Sequence, residues 1–476
     1  MRFIPEHPGQ SQKIRFCYTI DPGIFQKGDK IRCKIFFTGT NDGTGQRERF
    51  PELFVPDLIQ EDGQLCGSFV APERVTGIVV VFTDSLGTKV DNRGGEGYWS
   101  PVFAGADLMP GSLSAIADLL AGGWPPTYHL QPRKDVARKL YEKDFSLHPA
   151  IKRKYSRFYL ATFDIYDTND KTRYREELNR FAHYPDLTEW ELLDVKRYYA
   201  LIGEADSSKK YEKEVFDRYP NGSWAIQVKS LQQAIQIDKE KDAAKQWEMY
   251  LRFKRTFTSA FPDDFTRKRM NDRQGQLLRG MVTGFSDRND LKTWEAEVNS
   301  LDEASRFFTY RRTAVFIAEK VKLSFQTKGP VASGPFKPES ALWQSTAREE
   351  QLLDYGGRLA RESSDWYRKY LDAPLDKGNE SHLTDQEIRS RRSLQLALAL
   401  DAWAQVLTLQ QKPAEALEIL REAVKLSNYA EPDINEHFIE LLVRTNQVDE
   451  ARREASKVVL LDRSTPAIQQ FYQATA

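Results

Sequence analysis

A 35-residue echo constrains this chain more than any other feature. Tyr184-Pro185 and Tyr219-Pro220 lie 35 residues apart, each three positions after a Phe (Phe181, Phe216), and the tryptophans that follow, Trp190 and Trp224, lie 34 apart. Phe261-Pro262 repeats the aromatic-Pro step 42 residues further on. Near the C-terminus, Pro413-Ala414-Glu415-Ala416-Leu417 and Val448-Asp449-Glu450-Ala451-Arg452 match at a 35-residue offset. A period of this length belongs to helix pairs stacked in an array, where each pair needs a neighbour to cover its apolar face.

Ala416 falls at a small-residue position of a tetratricopeptide (TPR) repeat. Leu400, Trp403, Ala404 and Leu407 fit its first helix, and Leu420 and Ala423 its second. A looser copy carries Phe438, Leu442, Ala451, Ala455 and Val458. The spacing predicts a TPR-like solenoid over 384–476 and, in degenerate form, over 130–325. Roughly sixteen helices are expected after Pro110-Gly111, where charged residues interleave with Leu, Ala, Tyr and Trp at helical spacing. Asp186-Leu187-Thr188-Glu189 reads as a capped start, and Pro413 and Pro432 suit first helical positions.

Before Pro110 the period is two. Ile14–Ile20, Lys30–Phe37, Leu65–Val70 and Gly77–Thr83 read as strands, separated by turn-rich stretches such as Asp21-Pro22-Gly23, Gly39–Gly43 and Glu61-Asp62-Gly63. Val79–Phe82 reads as a central strand buried on both faces. Short strands at this spacing suggest an immunoglobulin-like antiparallel sandwich. The expected fold class is therefore an N-terminal all-β immunoglobulin-like sandwich followed by an all-α TPR-like solenoid. Its divisions are a sandwich over 1–109, a helical domain over 110–325, a Gly/Pro/Ser-rich linker over 326–340 and a second helical domain over 341–476.

Composition narrows the function classes. The 476 residues carry 69 Lys+Arg against 69 Asp+Glu, a net charge of zero, which argues against a dedicated nucleic-acid binder. No stretch approaches the run of about 20 apolar residues a membrane helix needs. The N-terminus lacks an apolar signal-peptide core, so the expected location is the cytoplasm, or the periplasm or cell envelope if an export signal has been removed.

No P-loop, H-E-x-x-H, G-x-S-x-G or G-x-G-x-x-G element occurs. The six histidines are scattered singly, and the three cysteines, Cys17, Cys33 and Cys66, form no C-x-x-C. Cys17 falls on the face opposite Ile14, Phe16 and Tyr18, whereas Cys33 shares a face with Ile31, Ile35 and Phe37. A disulfide among the three is left open by the sequence. Asp91–Trp99, with its acids and glycines, could wrap a calcium ion but lacks the regular alternate acids of a calcium loop, so a glycine turn is the preferred reading. No metal, cofactor or catalytic residue is expected. The basic clusters Lys152–Lys154, Arg267–Arg269 and Arg391-Arg392 read as solvated helix faces. Most tryptophans suit inter-helix core, and Trp190, Trp224, Trp247, Trp294 and Trp403 are the candidates for anchoring a partner in a solenoid groove.

The Asp91-Asn92-Arg93-Gly94-Gly95-Glu96-Gly97-Tyr98-Trp99-Ser100-Pro101 segment ends the β region. With the Phe-x-x-Tyr-Pro steps of the helical array, it resembles the N-terminal, non-catalytic part of large exported TlpA-like thioredoxin-family proteins of Bacteroidota-type bacteria. In such proteins, the resemblance implies, a C-x-x-C thioredoxin domain follows the helices. These residues hold no C-x-x-C, so no catalytic residue carries over. The leading expectation is a non-enzymatic, extracytoplasmic protein- or peptide-binding scaffold that takes no small-molecule substrate. The alternative is the accessory region of a thiol–disulfide oxidoreductase, and a third, weaker option is a calcium- or carbohydrate-binding sandwich.

Overall fold

The structure is a computed structural model that describes residues 1–475, apart from 27, 39–51, 86, 123–127, 258–260, 262, 329–344 and 376–382 and the side chains of 326–328. The turn read at Gly39–Gly43, most of the 326–340 linker, Pro262, Trp124, Trp343 and His382 lie outside the described residues. A β-rich region of three sheets precedes a helical remainder. Contacts divide the chain into two compact units, one holding Met1–Pro220 and the other Asn221–Leu375 and Asp385–Ala476.

In the first unit, one sheet has the order β1 (Arg2–Ile4), β2 (Lys13–Tyr18), β6 (Gln64–Val70), β5 (Ile59–Glu61). The second has the order β4 (Glu52–Phe54), β3 (Ile31–Thr38), β7 (Gly77–Asp84), β8 (Val90–Asp91), with β9 (Tyr98–Pro101) also on β7. A small ribbon joins β10 (Phe103–Ala104) and β11 (Asp107–Leu108). The two larger sheets share one core: Ile14, Phe16, Tyr18 and Phe69 from the first meet Cys33, Ile35, Phe37, Ile78, Val80 and Phe82 from the second. Tyr18 stacks on Phe82 with centroids 3.8 Å apart.

The four strands read from periodicity are present, each within two residues of its expected ends. β7 is buried on both faces, as expected of Val79–Phe82. Its second face is covered by α1 (Ser112–Ala121), and Gly77 allows the approach: a Cβ there would lie 2.9 Å from Ile116. Among the described residues, only short strands, of two to four residues, escaped the sequence reading, since so few positions show no alternation.

α1 has no side-chain cap of its own, because Gly111 stands at that position with φ 86°. Asp144 of α2 (Lys134–Leu147) supplies it instead: Ser114 N–H donates to its carboxylate at 2.7 Å and Gly111 N–H at 3.3 Å. A carboxylate at a helix N-terminus satisfies orphan donors and the helix dipole together. α3 (Lys152–Leu160), α4 (Thr168–Ala182), α5 (Glu189–Leu201) and α6 (Ala205–Arg218) continue the unit. Thr188 and Glu191 form a capping box at α5, where the sequence reading put a helix start. Both Tyr-Pro steps lie in inter-helix turns, and the Tyr219 hydroxyl donates to the Leu187 carbonyl at 2.7 Å.

The second unit is helical throughout its described residues. It runs α7 (Ser223–Lys239), α8 (Ala243–Phe257), α9 (Asp264–Asp287), α10 (Leu291–Asn299), α11 (Glu303–Lys328) and α12 (Ala347–Asp372), then α13 (Asp385–Leu409), α14 (Pro413–Ser427), α15 (Pro432–Arg444), α16 (Val448–Leu460) and α17 (Pro466–Thr475). Each helix packs on the next where both flank a described turn, and α7, α9, α11 and α13 also pack each on the next of the four, forming one layer. Gly275 permits the α9–α11 contact, since an added Cβ would overlap the Thr309 hydroxyl. Pro413 and Pro432 occupy first-turn positions as expected. Ala416, Leu420, Ala423, Phe438, Leu442, Ala451, Ala455 and Val458 all lie in one buried core.

Candidate functional site

The layer of α7, α9, α11 and α13 presents arginines without counter-charges. Other arginines pair with acids, two of them at the starts of these same helices: Arg267 with Asp264 on α9 and Arg306 with Glu303 on α11, besides Arg358 with Glu295 and Arg421 with Glu450. Among the described residues, Arg273 and Arg279 on α9 and Arg311 and Arg312 on α11 form no such ion pair. The Arg273 guanidinium donates only to neutral groups, the Gln227 carbonyl and the Ser230 hydroxyl of α7, each at 3.2 Å. Arg311 is 7% exposed, donates to Gln395 Oε1 at 3.0 Å and lies 5.1 Å from the Phe308 ring.

Electrostatics bears out the geometry. Loss of solvent, then the Arg312 charge, draws Arg279 below the ordinary arginine range; the Glu319 and Asp238 charges act the other way with smaller effect. Arg273 and Arg311 are drawn down for the same first reason. Placing a cation where solvent is thin and no anion is in contact is unfavourable, and a bound anion would relieve it. On α11 the spacing of Phe308, Arg312 and Leu323 puts them on one stripe, and Phe308 and Leu323 are 40% and 54% exposed. The face can therefore accept carboxylates and, beside them, apolar side chains.

The tryptophans do not gather into one site. Trp294 is fully buried, its indole N–H donating to the Leu278 carbonyl at 2.6 Å, so it offers a partner no surface. Trp247 stacks on Tyr250 and meets Phe285 edge-on against the same core. Trp403 packs against two neighbouring cores. Trp224 is half-buried at the start of α7, and Trp190, half-buried on α5, belongs to the other unit.

His437 of α15 pairs with Asp401 of α13, Nδ1 to Oδ1 at 2.9 Å, rather than with its sequence neighbour Asp433. Thr408 Oγ1 lies 3.4 Å from Nε2, giving the outline of a Thr-His-Asp triad. However, the Thr408 hydroxyl donates its proton to the Ala404 carbonyl at 2.8 Å, which leaves it unprepared as a nucleophile. The arrangement is a polar tie between two helices. Arg392 departs from its reading as a solvated residue: it is 5% exposed and donates to the Tyr370, Ala373 and Pro374 carbonyls at the end of α12.

In the first unit, Asp91–Trp99 is a glycine turn. Gly94, Gly95 and Gly97 take φ of 70°, 100° and 71°. The Asn92 side chain donates to the His129 carbonyl and accepts from Gly95 N–H, while Asp91 accepts from the Tyr18 and Tyr98 hydroxyls at 2.5 and 3.0 Å. Burial, with that acceptor, pushes Tyr98 up to about 12. Asp91 is thus engaged in holding strands together, and Glu96 pairs with Arg133 at the start of α2.

Cys17 and Cys66 face each other across β2 and β6 on the side away from the core and form a disulfide, while Cys33 is a buried free thiol whose pKa is raised by desolvation. Sequence reasoning set Cys17 and Cys33 on their faces but had no means to read the β2–β6 register. It also passed over the α9–α11 arginines, because acids stand near them in sequence and only packing shows that those acids are out of contact. No family model matches the chain, and a search of curated proteins finds no relative.

Proposed function

We propose that this chain is a non-enzymatic protein- or peptide-binding scaffold of an extracytoplasmic compartment. In this reading its β region is an immunoglobulin-like sandwich and its helices a TPR-like array. The strand order supports the first part: β1-β2-β6-β5 against β4-β3-β7 with β8 and β9 follows the A-B-E-D and C-F-G arrangement of that fold. The 35-residue helix pairs and the shared layer of α7, α9, α11 and α13 support the second. The Cys17–Cys66 bond supports the compartment, since disulfides persist where the surroundings are oxidising.

The observation that carries the binding reading is the arginine face of α9 and α11, where Arg273, Arg279 and Arg312 form no ion pair among the described residues. A photo-crosslinking residue at Gln276, exposed on α9, should yield a covalent adduct with a protein partner in cells, and one at Glu248, exposed on α8, should not. Absence of any adduct at Gln276, or equal adducts at both positions, would count against the proposal.

A further inference from the structure

We infer that the α9–α11 face is selective for an acidic peptide segment with interspersed apolar side chains, its carboxylates pairing with Arg273, Arg279 and Arg312. The inference rests on the binding reading above and adds the chemistry of the partner. Three observations combine. Arg273 spends its hydrogen bonds on neutral oxygens of α7, and Arg279 and Arg312 stand close enough to repel each other. Guanidinium groups match carboxylates bidentately, so two acids on one extended segment would offset that repulsion and make the close ion pairs that Asp238 and Glu319, which act on Arg279 without pairing with it, do not.

The second observation is the Phe308 and Leu323 exposure along the Arg312 stripe, which suits apolar side chains between the acids. The third is the placing of Asp238 and Glu319 near Arg279. They interrupt the positive surface, and a continuous phosphate backbone would meet them as like charges. A short acidic peptide can set its carboxylates beside the arginines and avoid them. The zero net charge of the chain likewise gives nucleic acid no long-range attraction.

The test is fluorescence anisotropy of the full chain with a rhodamine-labelled peptide of four Glu-Glu-Leu repeats, beside its Gln-Gln-Leu counterpart and an oligothymidine. The acidic peptide should bind, the glutamine peptide at least about tenfold more weakly, and Arg279→Gln with Arg312→Gln should cost about tenfold, the loss of charge-assisted pairs. Binding should also weaken as salt rises from about 0.1 to about 0.5 M. Arg312→Glu alone should abolish it, and an unchanged urea midpoint for each variant excludes unfolding as the cause. Equal binding of the two peptides, tighter binding of oligothymidine, or indifference to the arginine changes would overturn the inference. If no acidic peptide binds while the Gln276 crosslink still forms, the selectivity falls and the scaffold reading stands. If both fail, both fall.

Discussion

Breaking the Cys17–Cys66 bond offers the sharpest test of how the β region is stabilised. The two residues lie directly opposite in the β2–β6 ladder, and the backbone pairing from Lys13–Val70 to Tyr18–Leu65 does not need the sulfur bridge. Cys17→Ala with Cys66→Ala should therefore leave the folded strands in place and act mainly on the unfolded chain. The cysteines are 49 residues apart, so losing the closed loop returns about 4 kcal/mol of chain entropy to the unfolded state. With a urea m-value of about 2 kcal/mol/M, the unfolding midpoint should fall by about 2 M. Hydrogen-exchange mass spectrometry across a urea series, read on peptides of β2, β3, β6 and β7, isolates this region from the helices. In denatured but unreduced protein only Cys33 should react with a thiol reagent. A midpoint shift below about 0.5 M, in the same units of the linear extrapolation, would refute the loop argument, and three reactive thiols would refute the bond.

Three further outcomes follow from packing and charge. Gly275→Ala should destabilise the second unit by about 1–3 kcal/mol despite alanine's better helix propensity, because the new methyl group meets the buried Thr309 hydroxyl; adding Thr309→Ala should restore most of the loss in denaturant unfolding. Trp294→Ala should cost about 3–5 kcal/mol and lower the thermal midpoint of the same unit, as expected when a fully buried large ring is removed. Asp170 accepts both Arg138 donors, at 2.7 and 2.6 Å, and that guanidinium holds its carboxyl below the usual range. A carboxyl depressed in the folded state stabilises fully above its unfolded value of about 4 and loses that contribution as pH falls through the lower folded value. Asp170→Asn should therefore cost about 1–2 kcal/mol at pH 7, between the exposed and buried limits, and the gap to the parent protein should close toward pH 3. A gap that widened on acidification would refute the assignment.

What the amino-acid order alone determined was local and periodic. Alternation placed β2, β3, β6 and β7 and put Cys33 in the core, because a strand's faces follow from odd and even positions. Proline and capping residues marked the starts of α5, α14 and α15, since the orphan donors of a first turn are satisfied by near neighbours. The repeat spacing announced that helices would stack. Contacts between distant residues were decided only by the tertiary structure. Cys17 meets Cys66 through strand register, Asp144 caps a helix 30 residues earlier, and His437 turns from Asp433 to Asp401. Likewise, arginines in similar charged, helical sequence meet different fates: Arg267 pairs with Asp264 on its own helix, Arg392 is buried against the carbonyls that end α12, and Arg279 forms no ion pair among the described residues. Charge is written residue by residue, but its partner and its solvent are set by what folding brings near.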